Sequence, residues 1–222
     1  RCLRLGNREV SPQAALLGGN ESFNVSDYQG AIAFYHIIME GYPSSSQFSP
    51  AVLRCMWAFF RTGAYDQMAV THKQHREAFD AGERLEALYL VGSAHQEQSR
   101  HEQAVETLSS IADQSAGLPF HPTLLYRVAR SCDELGRYGQ MNTVLKKLYD
   151  LYPHSPYNMD GQFLIANADA EQGNLEDGIG RLSTIVDHEP PLAHRDRAFL
   201  RRAELYERNG QLETALDDYL KY

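Results

Sequence analysis

The sequence predicts an all-α solenoid in which about six helical hairpins follow one another at a period of 36–37 residues. Three observations predict it: an evenly spaced glycine turn, a fixed small-then-bulky pair after each turn, and prolines at a constant distance beyond that pair. The glycines are Gly63, Gly136, Gly173 and Gly210, at intervals of 73, 37 and 37 residues. Self-similarity at this period is typical of stacked helical repeats.

Two serines complete the series of turns. Halving the first interval places a turn at Ser99, and one step back from Gly63 places another at Ser26. Glycine adopts the left-handed backbone of a helix C-cap freely. We therefore expect a first helix to end at each turn and a second helix to begin just after it.

The second helices share a pattern of side-chain sizes. The residues five and nine positions after each turn lie on one helix face, the nearer being small or flexible and the farther bulky. The nearer residues are Ala31, Met68, Ala104, Met141, Gly178 and Ala215. The farther residues are Tyr35, His72, Leu108, Leu145, Leu182 and Tyr219. Pro43, Pro153 and Pro190, seventeen after the turn, are expected to end their helices.

The first helices carry mostly small residues seven positions before the turn, where the two helices of a hairpin would cross. In the first hairpin this region is Gly18-Gly19-Asn20. Glycine inside a helix costs about 1 kcal/mol relative to alanine, so we expect these glycines to interrupt the leading helix.

This pattern around a Gly-x-Tyr turn resembles the tetratricopeptide repeat family, closely over residues 45–222 and less closely over 8–44. The resemblance implies a right-handed superhelix whose first helices line a concave groove that holds ligands. The chain departs from the family in its longer period and in Arg202 and Asp169, which occupy positions that are usually apolar. The longer period and the junction Tyr152-Pro-His-Ser-Pro-Tyr157 are similar to tetratricopeptide proteins of the bacterial cell envelope. We therefore favour the periplasm or envelope over the cytoplasm.

The same spacing predicts the domain organisation. Residues 1–10 are expected to form a loose tail and residues 11–222 a single domain. The hairpins would span about 12–47, 48–84, 85–120, 121–157, 158–194 and a truncated 195–222. Because the chain starts at Arg1 without a methionine, we expect it to be a piece of a longer protein.

Composition and motifs exclude several kinds of function. A net charge of −8 argues against a nucleic-acid surface, and no apolar run is long enough to span a bilayer. Three widely spaced cysteines do not form a disulfide framework. No catalytic or nucleotide-binding motif is present, so we expect neither an enzyme nor a cofactor. His72 and His75 share a helix face, but no acidic or cysteine ligand joins them, so we interpret His72 as a packing residue, His75 as solvated and the metal site as absent.

The candidate partner-binding residues come from the resemblance. Positions ten before each turn should face the groove: Leu53, Tyr89, Tyr126, Phe163 and Leu200. This apolar row could equally pack into the core, and both interpretations stay open here. Trp57 and Phe60 are candidate anchors. Further candidates are Arg54, Arg61, Asn167, Arg127, Arg130 and Arg201. The arginines could bind a carboxylate, but Glu97, Glu134 and Glu171 on the same wall leave the sign of the groove open.

The function that these observations predict is an adaptor that binds a peptide or helix of a partner protein in the concave groove. The alternative is a structural spacer or self-assembling scaffold that makes contacts through its ends, above all the last repeat, or through its convex face. An enzyme would require a further domain or a site that no motif reveals.

Overall fold

The computed structural model describes residues 10–187 and 194–222, and all regular structure in these ranges is helical. The predicted fold class, an all-α array of helical hairpins, is confirmed. The chain divides into two compact units, residues 1–99 and 100–222, so the predicted single domain stays a prediction. Residues 1–9 of the expected tail and Pro190 lie outside the described residues.

The described part of the first unit contains five α-helices. They are α1 (Pro12–Asn24), α2 (Tyr28–Gly41), α3 (Phe48–Arg61), α4 (Tyr65–His75) and α5 (Ala81–Glu97). A 3-10 turn over Arg76–Ala78 follows α4. Each of the helices α1 to α4 packs against the next one, and the first helices α1, α3 and α5 also contact one another in sequence. First helices of successive hairpins therefore lie side by side.

Seven α-helices are present among residues 100–187 and 194–222 of the second unit. They are α6 (His101–Ile111), α7 (His121–Glu134), α8 (Tyr138–Leu151), α9 (Tyr157–Glu171), α10 (Leu175–Val186), α11 (Arg195–Arg208) and α12 (Leu212–Tyr219). Each packs against its successor, and α7 also contacts α9. Pro43 follows the end of α2 by two residues and Pro153 follows the end of α8 by two, as the sequence predicts.

The turns adopt the predicted backbone at all six positions. Gly63, Gly136, Gly173 and Gly210 have φ values of 71°, 65°, 86° and 77°. Ser26 and Ser99, the two turns predicted from the repeat spacing, have φ values of 63° and 57°. At Gly63, the turn N–H donates to the Phe60 carbonyl and the next N–H to the Phe59 carbonyl, which satisfies the helix end. Serine pays a steric cost for this conformation that glycine avoids.

The expectation that Gly18 and Gly19 interrupt α1 is wrong, because α1 runs unbroken from Pro12 to Asn24. Both glycines face α2. A Cβ at Gly19 would lie 2.4 Å from the Tyr35 ring, and one at Gly18 would lie 2.9 Å from the Phe34 ring. Tyr35 is fully buried and its hydroxyl donates to Asn20 Oδ1 at 3.0 Å. Close packing of these rings offsets the low helix propensity of the glycines.

Polar bonds between side chains about one repeat apart hold successive hairpins in register. In the first unit Ser49 Oγ donates to Glu83 at 3.1 Å. In the second unit the Arg137 guanidinium donates to both carboxylate oxygens of Glu102, at 2.7 and 2.8 Å. Three more ion pairs join residues about one repeat apart, with nitrogen–oxygen distances of 2.5 Å for Lys147–Asp113, 3.2 Å for Arg208–Glu171 and 3.5 Å for Arg197–Asp160.

The two polar departures from the family pattern have partners within the second unit. Arg202 is buried and forms two bonds to the carboxylate of Asp218, at 2.6 and 2.8 Å. Its third bond, at 2.9 Å, goes to Ser183 Oγ on α10. Asp169 accepts from Arg181 at 2.7 Å. Polar side chains at these positions are tolerated because each is hydrogen-bonded.

Candidate protein-interaction surface

A group of aromatic side chains lies on α3 and α5 of the first unit. The Trp57 ring meets the Phe60 ring edge to face at a centroid distance of 6.2 Å, and the Tyr89 ring at the same distance with a 46° tilt. Phe60 in turn lies 5.7 Å from Tyr65. Trp57 and Phe60 are both half-buried. The group therefore leaves part of its aromatic surface in contact with solvent.

The local sequence explains why these rings meet. Trp57 and Phe60 are three residues apart on α3, and Glu86 and Tyr89 are three apart on α5, so each pair shares a helix face. The indole N–H of Trp57 donates to Glu86 Oε1 at 2.5 Å. This bond fixes the plane of the indole ring relative to α5, because tryptophan has one polar atom to satisfy.

The row ten residues before the turns divides between core and surface. Leu53, Tyr89 and Phe163 are only 7%, 6% and 1% exposed, so they pack within the helix layers. Tyr126 and Leu200 are half-buried and retain accessible surface. Of this row, Tyr126 and Leu200 are therefore the residues that keep side-chain surface accessible to solvent.

An aromatic stack lies on α7 and α9 of the second unit. The Tyr126 and Tyr157 rings are nearly parallel, 15° apart, with centroids separated by 4.9 Å, and Thr123 Oγ1 donates to the Tyr157 hydroxyl at 3.1 Å. Burial raises the pKa of Tyr126, with a smaller contribution in the same direction from Asp160, while Arg130 acts in the opposite direction. The stack is thus bordered by both signs of charge.

The arginines of α11 are already bound to neighbouring side chains. The Arg197 guanidinium lies 4.6 Å above the centre of the Phe163 ring. Arg201 donates to Asn167 Oδ1 at 2.7 Å and to Glu204 at 2.6 Å. A carboxylate ligand at Arg201 would have to displace or share these bonds, so Arg201 is a positioned but occupied donor.

The remaining candidates spread along the first helices. Arg54, Arg61 and Arg130 are exposed and Arg127 is half-buried. Glu134 and Glu171 are exposed as well, and Glu171 pairs with Arg208 at 3.2 Å. Charges of both signs thus occur on these helices in each unit.

The sequence did not indicate Glu86 and Tyr157, which complete the two aromatic groups, or Arg197, which lies over the Phe163 ring. Glu86 could have been found as the residue one helical turn before Tyr89. Tyr157 could have been found from its distance to Thr123, which is 34 residues and matches the separation of other bonds between successive hairpins. Arg197 lies one helical turn before Arg201 and carried no signal that set it apart from other surface arginines.

Two cysteines and two histidines of the described chain behave as packing residues. Cys55 and Cys132 are fully buried, and burial raises the pKa of their thiols to about 12 and about 11. Such thiols stay protonated at neutral pH and are poor nucleophiles. His72 stacks on Phe79 with centroids 6.4 Å apart, and His75, predicted to be solvated, is half-buried against Phe48. In the described parts of the chain, no three histidine, cysteine or acidic side chains form a group that could hold a metal ion.

Comparison with known proteins agrees with this architecture. A family model described as the tetratricopeptide repeat matches residues 86–116, and the turns and packing positions of that segment recur along the chain. The chain has the fold of tetratricopeptide repeat proteins. No curated protein matches it in sequence. None of the helices that the structure describes has the length and apolar character needed to cross a membrane.

Several solved structures share the fold. A tetratricopeptide repeat protein from Parabacteroides merdae ATCC 43184 is 15% identical, with a TM-score of 0.75 over 95% of this chain and 78% of that one. Pseudomonas aeruginosa pilF is 14% identical, with a TM-score of 0.68 over 95% of this chain and 89% of that one. MamA AMB-1 is 16% identical, with a TM-score of 0.62 over 79% and 90%. At these identities the likeness concerns the fold alone.

The tetratricopeptide repeat fold has a general functional meaning. Tetratricopeptide repeat proteins serve broadly as scaffolds for protein–protein interaction and are generally not enzymes. The open arrays of helices in such proteins present surface, whereas catalysis usually needs an enclosed site that excludes water.

Proposed function

We propose that this protein is an adaptor that holds a peptide or a helix of a partner protein against its first helices, in the concave groove of the family. One observation carries the proposal. In each unit, half-buried aromatic rings on first helices are held in place by neighbouring side chains and stand beside charged groups. Trp57 with Phe60 and Tyr126 with Tyr157 are these rings.

The physical basis of binding is the rigidity of these anchors. Rings already fixed by stacking or hydrogen bonding lose little conformational freedom when a ligand covers them. The entropy cost of ordering the scaffold on binding is therefore small. Aromatic side chains in such settings commonly dominate the energy of an interface. The mixed charges around them would select among partners and set the direction of the bound segment.

The test is a selection of random twelve-residue peptides displayed on phage, followed by affinity measurements on the enriched peptides. Tyr126→Ala and Trp57→Ala should each weaken binding of a subset of these peptides by about tenfold or more, since hot-spot truncation costs about 2 kcal/mol. Leu151→Ala is the matched control, because Leu151 is an apolar residue on the second helix α8 and is 50% exposed. It should leave affinity unchanged.

The outcome that contradicts the proposal is equally specific. If both aromatic variants keep their helical circular dichroism and bind every enriched peptide as tightly as the parent chain, the first helices are not the binding surface. Stronger loss in Leu151→Ala would place binding on the second helices instead.

A second candidate function is self-association through the last hairpin. Leu212 and Leu216 of α12 and Leu220, the residue directly after this helix, recur every four residues and are 64%, 57% and 77% exposed. Leu175 and Ile179 of α10 lie one repeat before Leu212 and Leu216 in sequence. They pack against a core that includes Phe199 of α11. We expect a concentration-dependent rise in molar mass by light scattering if a second copy covers this face. A constant monomer mass up to high concentration would exclude it.

A further inference from the structure

The carboxylate of Glu86 in the first unit is held by a neutral donor. Its Oε1 accepts from the Trp57 indole N–H, and no cation among the described residues forms an ion pair with it. A carboxylate accepts several hydrogen bonds, so Oε2 retains capacity for a charged donor. Glu86 is half-buried beside the aromatic group and therefore carries a negative charge that its own surroundings do not neutralise.

Neighbouring arginines of α3 do not occupy this position. Burial raises the pKa of Tyr35 on α2 to about 12, and the nearby charge of Arg54 opposes this rise, so Arg54 lies close to α2. Both α2 and α5 pack against α3, and Glu86 lies on α5. Arg61 is exposed at the last position of α3. The side of Trp57 that meets α5 is thus bordered by an acid.

We propose that Trp57, Phe60 and Glu86 form a site for a basic side chain, an arginine or a lysine, of the bound peptide. This inference rests on the proposed adaptor function and names the chemistry that one part of its surface recognises. The cation would lie against the Trp57 ring and donate to Glu86 Oε2. Tryptophan is the aromatic side chain that attracts cations most strongly, and a charged donor strengthens a hydrogen bond to a carboxylate.

Other occupants fit this chemistry less well. An apolar side chain would remove the Glu86 charge from water without supplying a partner, which is costly. An acidic side chain would meet a like charge at close range. A basic side chain covers the rings with its aliphatic stem and neutralises the carboxylate with its head.

Trp57 is the only tryptophan in the chain, so its indole N–H resonance reports on this site alone. We would titrate the full chain with N-acetyl-arginine methylamide, N-acetyl-norleucine methylamide and N-acetyl-glutamate methylamide. The arginine probe should shift the indole resonance saturably, whereas the norleucine and glutamate probes should not. Raising the salt concentration should weaken the arginine response, because screening reduces an attraction between accessible charges.

Glu86→Gln is the decisive variant, since glutamine can still accept from the indole while losing the charge. We expect it to weaken arginine binding by about fivefold or more. Glu77→Gln is the matched control, because Glu77 is an exposed acid on the 3-10 turn, and it should leave the titration unchanged. Equal shifts with arginine and norleucine, or undiminished arginine binding to Glu86→Gln, would overturn the inference.

The outcome for this site is separable from the outcome for the adaptor function. If enriched peptides lose affinity in the Trp57→Ala and Tyr126→Ala variants but the arginine probe leaves the indole resonance unmoved, only the basic-side-chain site fails. If the aromatic variants bind all peptides normally, the adaptor proposal fails first, and a positive arginine titration would then describe a site that peptides do not use.

Discussion

Replacing Asp218 with alanine is expected to lower the free energy of unfolding by about 3–5 kcal/mol, the cost of leaving a buried charge without its partner. Asp218 is 1% exposed, and its two carboxylate oxygens both accept from Arg202. Arg202 is itself buried and also donates to Ser183. The arginine cannot lose its proton within the protein, so the charge must either remain unpaired or open α12 to water.

Two controls separate this effect from a general loss of a surface charge. Asp113→Ala removes an exposed ion pair with Lys147 and should have little measurable effect, as is usual at the surface. The double change Arg202→Met with Asp218→Leu removes both charges and should recover most of the loss in the single variant. Chemical denaturation followed by circular dichroism measures all three. A cost below about 1 kcal/mol for Asp218→Ala would mean that the pair is not buried in solution.

Replacing Gly19 with alanine is expected to destabilise the chain by about 1–3 kcal/mol, although alanine is the better helix former. The added Cβ would lie 2.4 Å from a carbon of the Tyr35 ring. That ring is fully buried and its hydroxyl is bonded to Asn20, so it cannot move aside without losing packing and a hydrogen bond.

The matched control is Gly180→Ala on α10, where an added Cβ meets no atom within 4 Å. Here only helix propensity changes, and a gain of about 0.5–1 kcal/mol is expected. Thermal or chemical unfolding of the two variants should therefore move in opposite directions. A stabilising Gly19→Ala would show that α1 and α2 do not pack as closely as the structure has them.

The repeat could be predicted from the sequence because its signals are local. A left-handed turn, a small packing position and a bulky packing position each favour particular residue types at one position of the repeat. Six copies with the same spacing make the pattern recognisable. The turns at Ser26 and Ser99 show this best, since neither residue is glycine and both have the expected positive φ. The continuity of α1 could not be predicted, because it depends on Tyr35 filling the space that Gly19 leaves.

The candidate surface was harder to predict than the fold. Leu53 and Leu200 are the same residue at the same position of the repeat, yet Leu53 is buried and Leu200 is half-buried. Whether a side chain at this position reaches solvent depends on the neighbouring hairpin, which lies about one repeat away in sequence. The hydrogen bond between Arg201 and Asn167 likewise joins residues about one repeat apart in sequence. The sequence period places such residues on a helix face but does not show which neighbouring side chain each of them will contact.

The most direct measurement is a map of amide chemical-shift changes when an enriched peptide is added to the isotope-labelled chain. If the first helices form the binding surface, the perturbed amides will belong to first helices such as α3, α5, α7 and α9, together with the indole of Trp57 for peptides that need it. Changes confined to second helices such as α2, α4, α8 and α10, or to residues 212–222, would contradict it.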